Sequence, residues 1–221
     1  MRAFVTAASS NHFKSVCQFL STIPGERIVF YDIGLTTEEA QYIQNTFQVV
    51  YRVFPFEKYP KFVHLTSQDA GAYAWKPIII AEVYSQLKDG ILIWSDAGNM
   101  ISDVNALVGL IQPNGIYTGT SADTIKVWTH PIAIQEMGIP FTWFNYPMRN
   151  AALVGFVKNP RSTTFINDWK NMALNKNISL PPGANRSNHR WDQSILTFLY
   201  YKYDIPRLDI QLGYSIHNDI G

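Results

Sequence analysis

The stretch Gly90-Ile-Leu-Ile-Trp-Ser-Asp-Ala-Gly-Asn-Met-Ile101 decides how this chain is read. An apolar run stops on Asp96. A buried strand cannot carry a carboxylate through its interior without a partner. A carboxylate at the strand's carboxyl end instead stands on the rim of a sheet, where open α/β folds place their ligands. The segment therefore predicts a site that uses a carboxylate for metal- or phosphate-linked chemistry.

Working outward, the first third alternates strands and helices. Residues 3–7 form a short apolar run. Ser9, Ser10 and Asn11 then offer helix caps, and Phe13, Val16, Cys17 and Leu20 mark an amphipathic helix that Pro24-Gly25 ends. A second strand is expected over 27–33. Thr36 and Glu39 make a capping box for the next helix, with Ala40, Ile43 and Phe47 on one face. A third strand covers 49–54. This βαβαβ pattern implies parallel strands with right-handed crossovers.

After a polar connection over 55–71, Pro77 suits the first turn of a helix. Ile79, Ile80, Val83, Tyr84 and Leu87 mark the buried face of that helix. Past the opening strand (91–94), helices are expected after Asp103, over 163–174 and from about Asp192, with strands at 116–119 and 152–157. No internal repeat or linker interrupts the pattern, so residues 1–221 read as a single domain.

Composition narrows the function classes. The chain has 221 residues, 47% hydrophobic and 16% charged, enough for a packed core. A formal net charge of +1 argues against nucleic acid as a partner. Cys17 is the one cysteine, which excludes an internal disulfide and a thiolate cluster. The apolar start is too short for a signal peptide, and no stretch approaches the roughly 18 apolar residues of a membrane span. A soluble, cytoplasmic protein is expected.

Four segments carry chemistry, each with an ordinary alternative. The turn Thr6-Ala-Ala-Ser-Ser-Asn11 has small residues that admit a ligand to the backbone, and a following helix with free N–H groups; alone, it equally fits a helix cap. It lacks G-x-G-x-x-G, which disfavours a dinucleotide-binding dehydrogenase. In Ala74-Trp-Lys-Pro77, a lysine at a helix start opposes the helix dipole but suits an anionic ligand, against the usual fate of a solvated lysine. Asp96 suits Mg²⁺ or Mn²⁺ with a substrate diphosphate, or simply caps the next turn. In Ser187-Asn-His-Arg-Trp-Asp-Gln-Ser194, Asp192 sits near a helix N-cap, and His189 and Arg190 add donors for an anion. The aromatic cluster Phe141, Trp143, Phe144 and Tyr146 suits sugar rings, although core packing is the commoner use.

Together these segments resemble a nucleotide-sugar glycosyltransferase of the GT-A type. Tyr31-Asp-Ile-Gly-Leu35 and Ala74-Trp-Lys-Pro-Ile-Ile-Ile80 resemble motifs of a group of GT-A-like proteins of the DUF1647 kind. Ile93-Trp-Ser-Asp-Ala-Gly98 stands where GT-A enzymes carry D-x-D. His189-Arg-Trp-Asp-Gln-Ser194 resembles their late D-Q motif. The likeness spans residues 3–200 and extends to the capsid-glycosylating domains of large algal viruses. It implies a Rossmann-like, mixed and mostly parallel sheet flanked by helices.

The resemblance also implies roles. Thr6, Ala7, Ala8, Ser9 and Asn11 would line the nucleoside pocket of a UDP-sugar. Trp75, Lys76, Ala97 and Arg190 would bind the donor, with Lys76 near its phosphates or base. Asp96 would hold Mn²⁺ or Mg²⁺ as a Lewis acid on the departing diphosphate. Asp192, with Gln193, would act on the sugar or acceptor. An inverting enzyme would use the aspartate as general base, a retaining one to steady an oxocarbenium-like sugar. The acceptor would be a glycan or glycoprotein. Gly98 departs from the pattern by replacing the second aspartate of D-x-D. A late His217, or Asp219, would complete the metal shell. Otherwise Lys76 and Arg190 would meet the donor's charge without a metal, or the domain would bind a nucleotide sugar or glycan without turnover.

Overall fold

The computed structural model describes residues 1–206, 215–217 and 220. Its elements begin with β1 (Arg2–Ala8), α1 (Phe13–Thr22), β2 (Ile28–Asp32), α2 (Thr37–Thr46) and β3 (Val49–Val53). They continue with α3 (Gln68–Ala72), α4 (Trp75–Gln86), β4 (Ile91–Ser95), β5 (Asn99–Ile101), α5 (Val104–Ile111) and β6 (Ile116–Thr124). Last come α6 (Ile125–Trp128), α7 (Pro131–Met137), β7 (Pro147–Val157), α8 (Pro160–Ala173), α9 (Lys176–Ser179), α10 (Trp191–Lys202) and β8 (Ser215–His217).

Six strands form one sheet in the order β3-β2-β1-β4-β7-β6. The first four are parallel, and β7 runs antiparallel between β4 and β6. This is a mixed, mostly parallel α/β sheet, as the sequence resemblance implies. From β1 the chain builds outward to β3, then returns to lay β4 on the other side of β1. That reversal creates a crevice at the carboxyl ends of β1 and β4, where open α/β sheets bind ligands. The Ala8–Asn11 turn and Asp96 therefore meet at one crevice.

Local sequence explains most of the frame. Thr36 caps α2 with a capping box: Glu39 N–H donates to Thr36 Oγ1 at 3.2 Å and Thr36 N–H donates to Glu39 Oε2 at 2.9 Å. Asp103 caps α5 by accepting from Ala106 N–H at 2.9 Å. Ile111 of α5 presses on β7 at Gly155, where an added Cβ would lie 2.3 Å from the Ile111 side chain.

Three expectations change. Helix α4 has no single apolar face, because Ile78, Ile79, Ile80, Ala81 and Val83 are all buried. A helix apolar all round belongs inside the protein, and α4 packs between the sheet and α8. Strands β6 and β7 extend past 116–119 and 152–157, because the two pair through register shifts between Thr118, Thr120 and Thr124. The N-cap of α1 is His12, not Ser9, Ser10 or Asn11: residues Ser10–His12 form a 3-10 turn, Ser9 holds the cap position of that turn without a side-chain cap bond, and Ser9 Oγ donates to Asn11 Oδ1 at 2.5 Å. Asp192 lies near the N-cap of α10 as expected, in the first turn after Arg190, which holds the cap position.

Candidate active site

The crevice is an open cleft of about 1810 Å³. Its floor is a charge cluster built from three separate elements. Lys76 enters from the first turn of α4, Asp96 follows β4, and Asp192 comes from the first turn of α10. Lys76 Nζ lies 3.0 Å from Asp96 Oδ1 and 3.1 Å from Asp192 Oδ2. The Lys76–Asp192 contact is an ion pair off the line of a hydrogen bond, and Asp192 Oδ2 has no other partner among the described residues. One cation thus serves two carboxylates, and the cluster carries a net charge of −1 when both are ionised.

Neighbours fix each group. Trp94 Nε1 donates to Asp96 Oδ1 at 2.7 Å, and Asp96 N–H donates to the Ala152 carbonyl at 2.8 Å. Asn99 Nδ2 donates to the same carbonyl at 2.7 Å and to Ser95 Oγ at 3.1 Å, pinning the turn after β4 to β7. Trp169 Nε1 donates to the Asp192 carbonyl at 3.0 Å, anchoring the start of α10.

The electrostatics follow from burial. Removal from water raises the Asp192 pKa to about 6; Lys76 opposes the rise and the Asp96 charge adds to it. For Lys76, burial works to lower the pKa, but the charges of Asp192 and Asp96 outweigh it and hold the ammonium protonated. Asp192 therefore changes protonation close to neutral pH, while the cation between the carboxylates stays fixed.

The structure brings most sequence-predicted residues to this cleft: Ala7, Ala8, Ser9 and Asn11 on one side, Trp75, Lys76, Asp96, Ala97 and Asp192 on the floor, Arg190 and Gln193 on the far wall. Thr6 is corrected: it is fully buried inside β1, does not line the cleft, and its Oγ1 has no partner among the described residues. Lys76, expected near the donor's phosphates or base, is engaged by two carboxylates. Trp75 is largely packing; its Nε1 donates to the Ala70 carbonyl at 3.0 Å. His189 turns into the core, with Nδ1 accepting from His130 N–H at 3.2 Å and Nε2 3.0 Å from the Ile178 carbonyl. Burial lowers its pKa to about 4, so it is neutral and offers nothing to an anion. The aromatic cluster of residues 141–146 lies outside the cleft lining.

For a metal, the described residues present one carboxylate at the end of β4, with Asp96 Oδ2 unpartnered among them. Among the described residues no group of three or more His, Cys, Asp or Glu side chains forms a ready-made cage. One carboxylate with phosphate oxygens still suits Mg²⁺ or Mn²⁺. Strand β8 sets the His217 backbone opposite Asn99. The His217 side chain and Asp219 lie outside the described residues.

One wall had no clear signal in the sequence. Asp69, Ala70, Gly71, Ala72 and Tyr73 all have φ between 50° and 69°, a left-handed turn that brings Asp69, Ala70 and Tyr73 to the cleft. Left-handed backbone costs roughly 1–2 kcal/mol per non-glycine residue, and Gly71 alone hints at it. Trp191 is also left-handed, at φ 42°. Arg186 Nη2 reaches across to donate to Tyr73 Oη at 3.0 Å, joining the two strained segments over the cleft.

Comparisons with known proteins agree with the fold. Residues 2–81 match the family described as "Protein of unknown function (DUF1647)". No curated protein sequence matches. The fold is similar to galactosyltransferase LgtC in complex with donor and acceptor sugar analogs, with TM-score 0.54 and 13% identity over 90% of this chain and 70% of that one. It is also similar to mouse xyloside xylosyltransferase 1, with TM-score 0.53 and 8% identity over 92% of this chain and 82% of that one. A third likeness is to the glycosyltransferase GlyE of Streptococcus pneumoniae TIGR4, with TM-score 0.51 and 12% identity over 90% and 43% of the two chains. At these identities the likeness is one of fold: the chain has the GT-A architecture.

Proposed function

We propose that this protein is a glycosyltransferase that moves a sugar from a nucleoside-diphosphate sugar, with UDP favoured, to a hydroxyl of a glycan or glycoprotein. The observation that carries this reading is the Asp96–Lys76–Asp192 cluster, three elements converging at the switch point of the sheet. The GT-A likeness supports the same class, although fold alone does not fix function.

The roles follow from position. The small residues Ala7, Ala8 and Ser9 let the nucleoside approach the backbone at the end of β1. Asp96 would hold Mn²⁺ or Mg²⁺ through Oδ2, joined by phosphate oxygens and His217. When bound, the ion supplies positive charge to the departing diphosphate. Asp192 presents a carboxylate to the reacting end of the sugar, and ionises at about pH 6. Whether it accepts a proton or faces developing positive charge, it acts in the ionised form. Lys76 keeps both carboxylates oriented and offsets their mutual repulsion. Gln193 offers a side-chain Nε2 that is buried without a partner among the described residues, ready for a sugar oxygen.

Gly98, in place of a second aspartate, favours one other reading, a domain that binds nucleotide sugar without turnover. A thermal-shift panel of nucleoside diphosphates and their sugars, with and without Mn²⁺, tests both. A specific ligand at a hundredfold excess over its Kd raises stability by about 2.7 kcal/mol. Stabilisation with slow donor hydrolysis supports the transferase; stabilisation without it supports the binder; no shift with any nucleotide defeats both.

A further inference from the structure

The far wall of the cleft holds two arginines that no carboxylate answers among the described residues. Arg190 is half-buried. Among the described residues its guanidinium meets only the face of Trp128, 4.0 Å from the ring centroid, and its Nε is buried without a partner. Arg186 donates to the neutral Tyr73 hydroxyl and lies 5.9 Å from the Trp191 ring centroid. Both line the cleft. The carboxylates that line it with them are engaged elsewhere: Asp96 and Asp192 by Lys76, and Asp69 by Gln68 Nε2 at 3.1 Å.

The same wall is rich in unmet donors. Trp191 Nε1 and Gln193 Nε2 are buried without partners among the described residues. An unmet buried donor is costly, and these two belong to residues that follow Arg190 in the chain. Among the described residues neither arginine has an anionic partner, and the nearest carboxylate along the chain, Asp192, is held by Lys76. Arg meets a carboxylate or phosphate best, through its planar fork of N–H groups. The proposed place for the diphosphate of a donor is at Asp96, past the end of β4. Arg190 belongs instead to the turn that carries Asp192 and Gln193, the groups at the sugar.

We infer that this wall is a carboxylate subsite, and that the transferred sugar is a uronic acid carried on a nucleoside diphosphate. The inference rests on the transferase reading and adds the substrate class. Arg190 takes the sugar carboxylate, Arg186 closes over it from the rim, and Trp191 and Gln193 donate to the same group or its neighbouring hydroxyl.

The test measures affinity by calorimetry for three ligands with one shared nucleotide: the nucleoside diphosphate, its neutral hexose and its hexuronate. Wild type, Arg186→Gln and Arg190→Gln are compared, with Mn²⁺ present. The hexuronate should bind tighter than the hexose by about tenfold or more, the factor that one charge-assisted hydrogen bond carries. Each variant should shrink that gap while the nucleoside diphosphate alone keeps its affinity. Equal loss for all three ligands would assign the arginines to the diphosphate and overturn the subsite. So would a hexose that binds as well as the hexuronate. Absence of all nucleotide binding would bring down the transferase reading itself, whereas turnover without a uronate preference overturns this inference alone.

Discussion

The ammonium of Lys76 lies 3.1 Å from Asp192 Oδ2, with the two side chains only 5% and 6% exposed. Neither charge is stable there alone, since a buried ion without a partner costs several kcal/mol. Their pairing links the first turn of α4 to the first turn of α10 across the cleft floor, and Asp96 joins them from the end of β4.

Lys76→Met removes the one cation and leaves two carboxylates facing each other. Breaking a buried pair this way costs about 3–5 kcal/mol. Urea unfolding should show that loss, and the surviving protein should have an Asp192 pKa above the wild-type value, because the Lys76 charge no longer lowers it. A melting point within error of wild type would mean that the cluster contributes nothing to the fold.

Activity should depend on the ionised Asp192. Its pKa of about 6 predicts a transfer rate that rises with pH through about 6 and then levels. A kcat profile from pH 4.5 to 8 at saturating donor checks this. A rate that falls as pH rises through 6 would assign Asp192 the opposite role, that of an acid.

Stability should show the same group with its own sign. Asp192 holds its proton more tightly in the folded chain than the ordinary aspartate value of about 3.9. Its contribution to stability is therefore fully present below about pH 3.9 and lost as pH rises through about 6. Asp192→Asn removes this slope. The variant should gain stability relative to wild type between pH 4 and pH 7, measured as the difference in urea midpoints. A difference independent of pH would show that the carboxyl titrates normally.

Gly71→Ala tests the strained wall. The position has φ 69°, and an added Cβ would lie 2.1 Å from the Val63 carbonyl oxygen. The left-handed strain alone costs roughly 1–2 kcal/mol, and the clash must displace Tyr73 and the cleft edge. Reduced thermal stability with weakened donor binding is expected. Loss of stability with unchanged binding would separate this turn from the site.

Much of this was legible in the sequence for identifiable reasons. Asp96 ends an apolar strand, and Asp192 opens an apolar helix, so each had to face a rim. Lys76 opposed its helix dipole, which signalled a partner, but the partner was two carboxylates from distant elements, and no spacing along the chain records that. The left-handed turn at residues 69–73 was not legible because Ala and Tyr disfavour that conformation, and only Gly71 and, more weakly, Asp69 favour it. Thr6 differs from Ala7 and Ala8 because only the last residues of β1 reach the cleft, while Thr6 belongs to the core. His189 sat in a polar-looking loop, yet two backbone groups draw it inside.

The central claim is that Asp96 and Asp192 work on one nucleotide-sugar ligand in the cleft. Its most direct test is a paired measurement on Asp192→Asn, a near-isosteric change: donor affinity by calorimetry, and sugar release or transfer with the same donor. The account predicts that the variant binds the nucleoside-diphosphate sugar close to wild type while its turnover falls by orders of magnitude. Turnover undiminished in Asp192→Asn would contradict it.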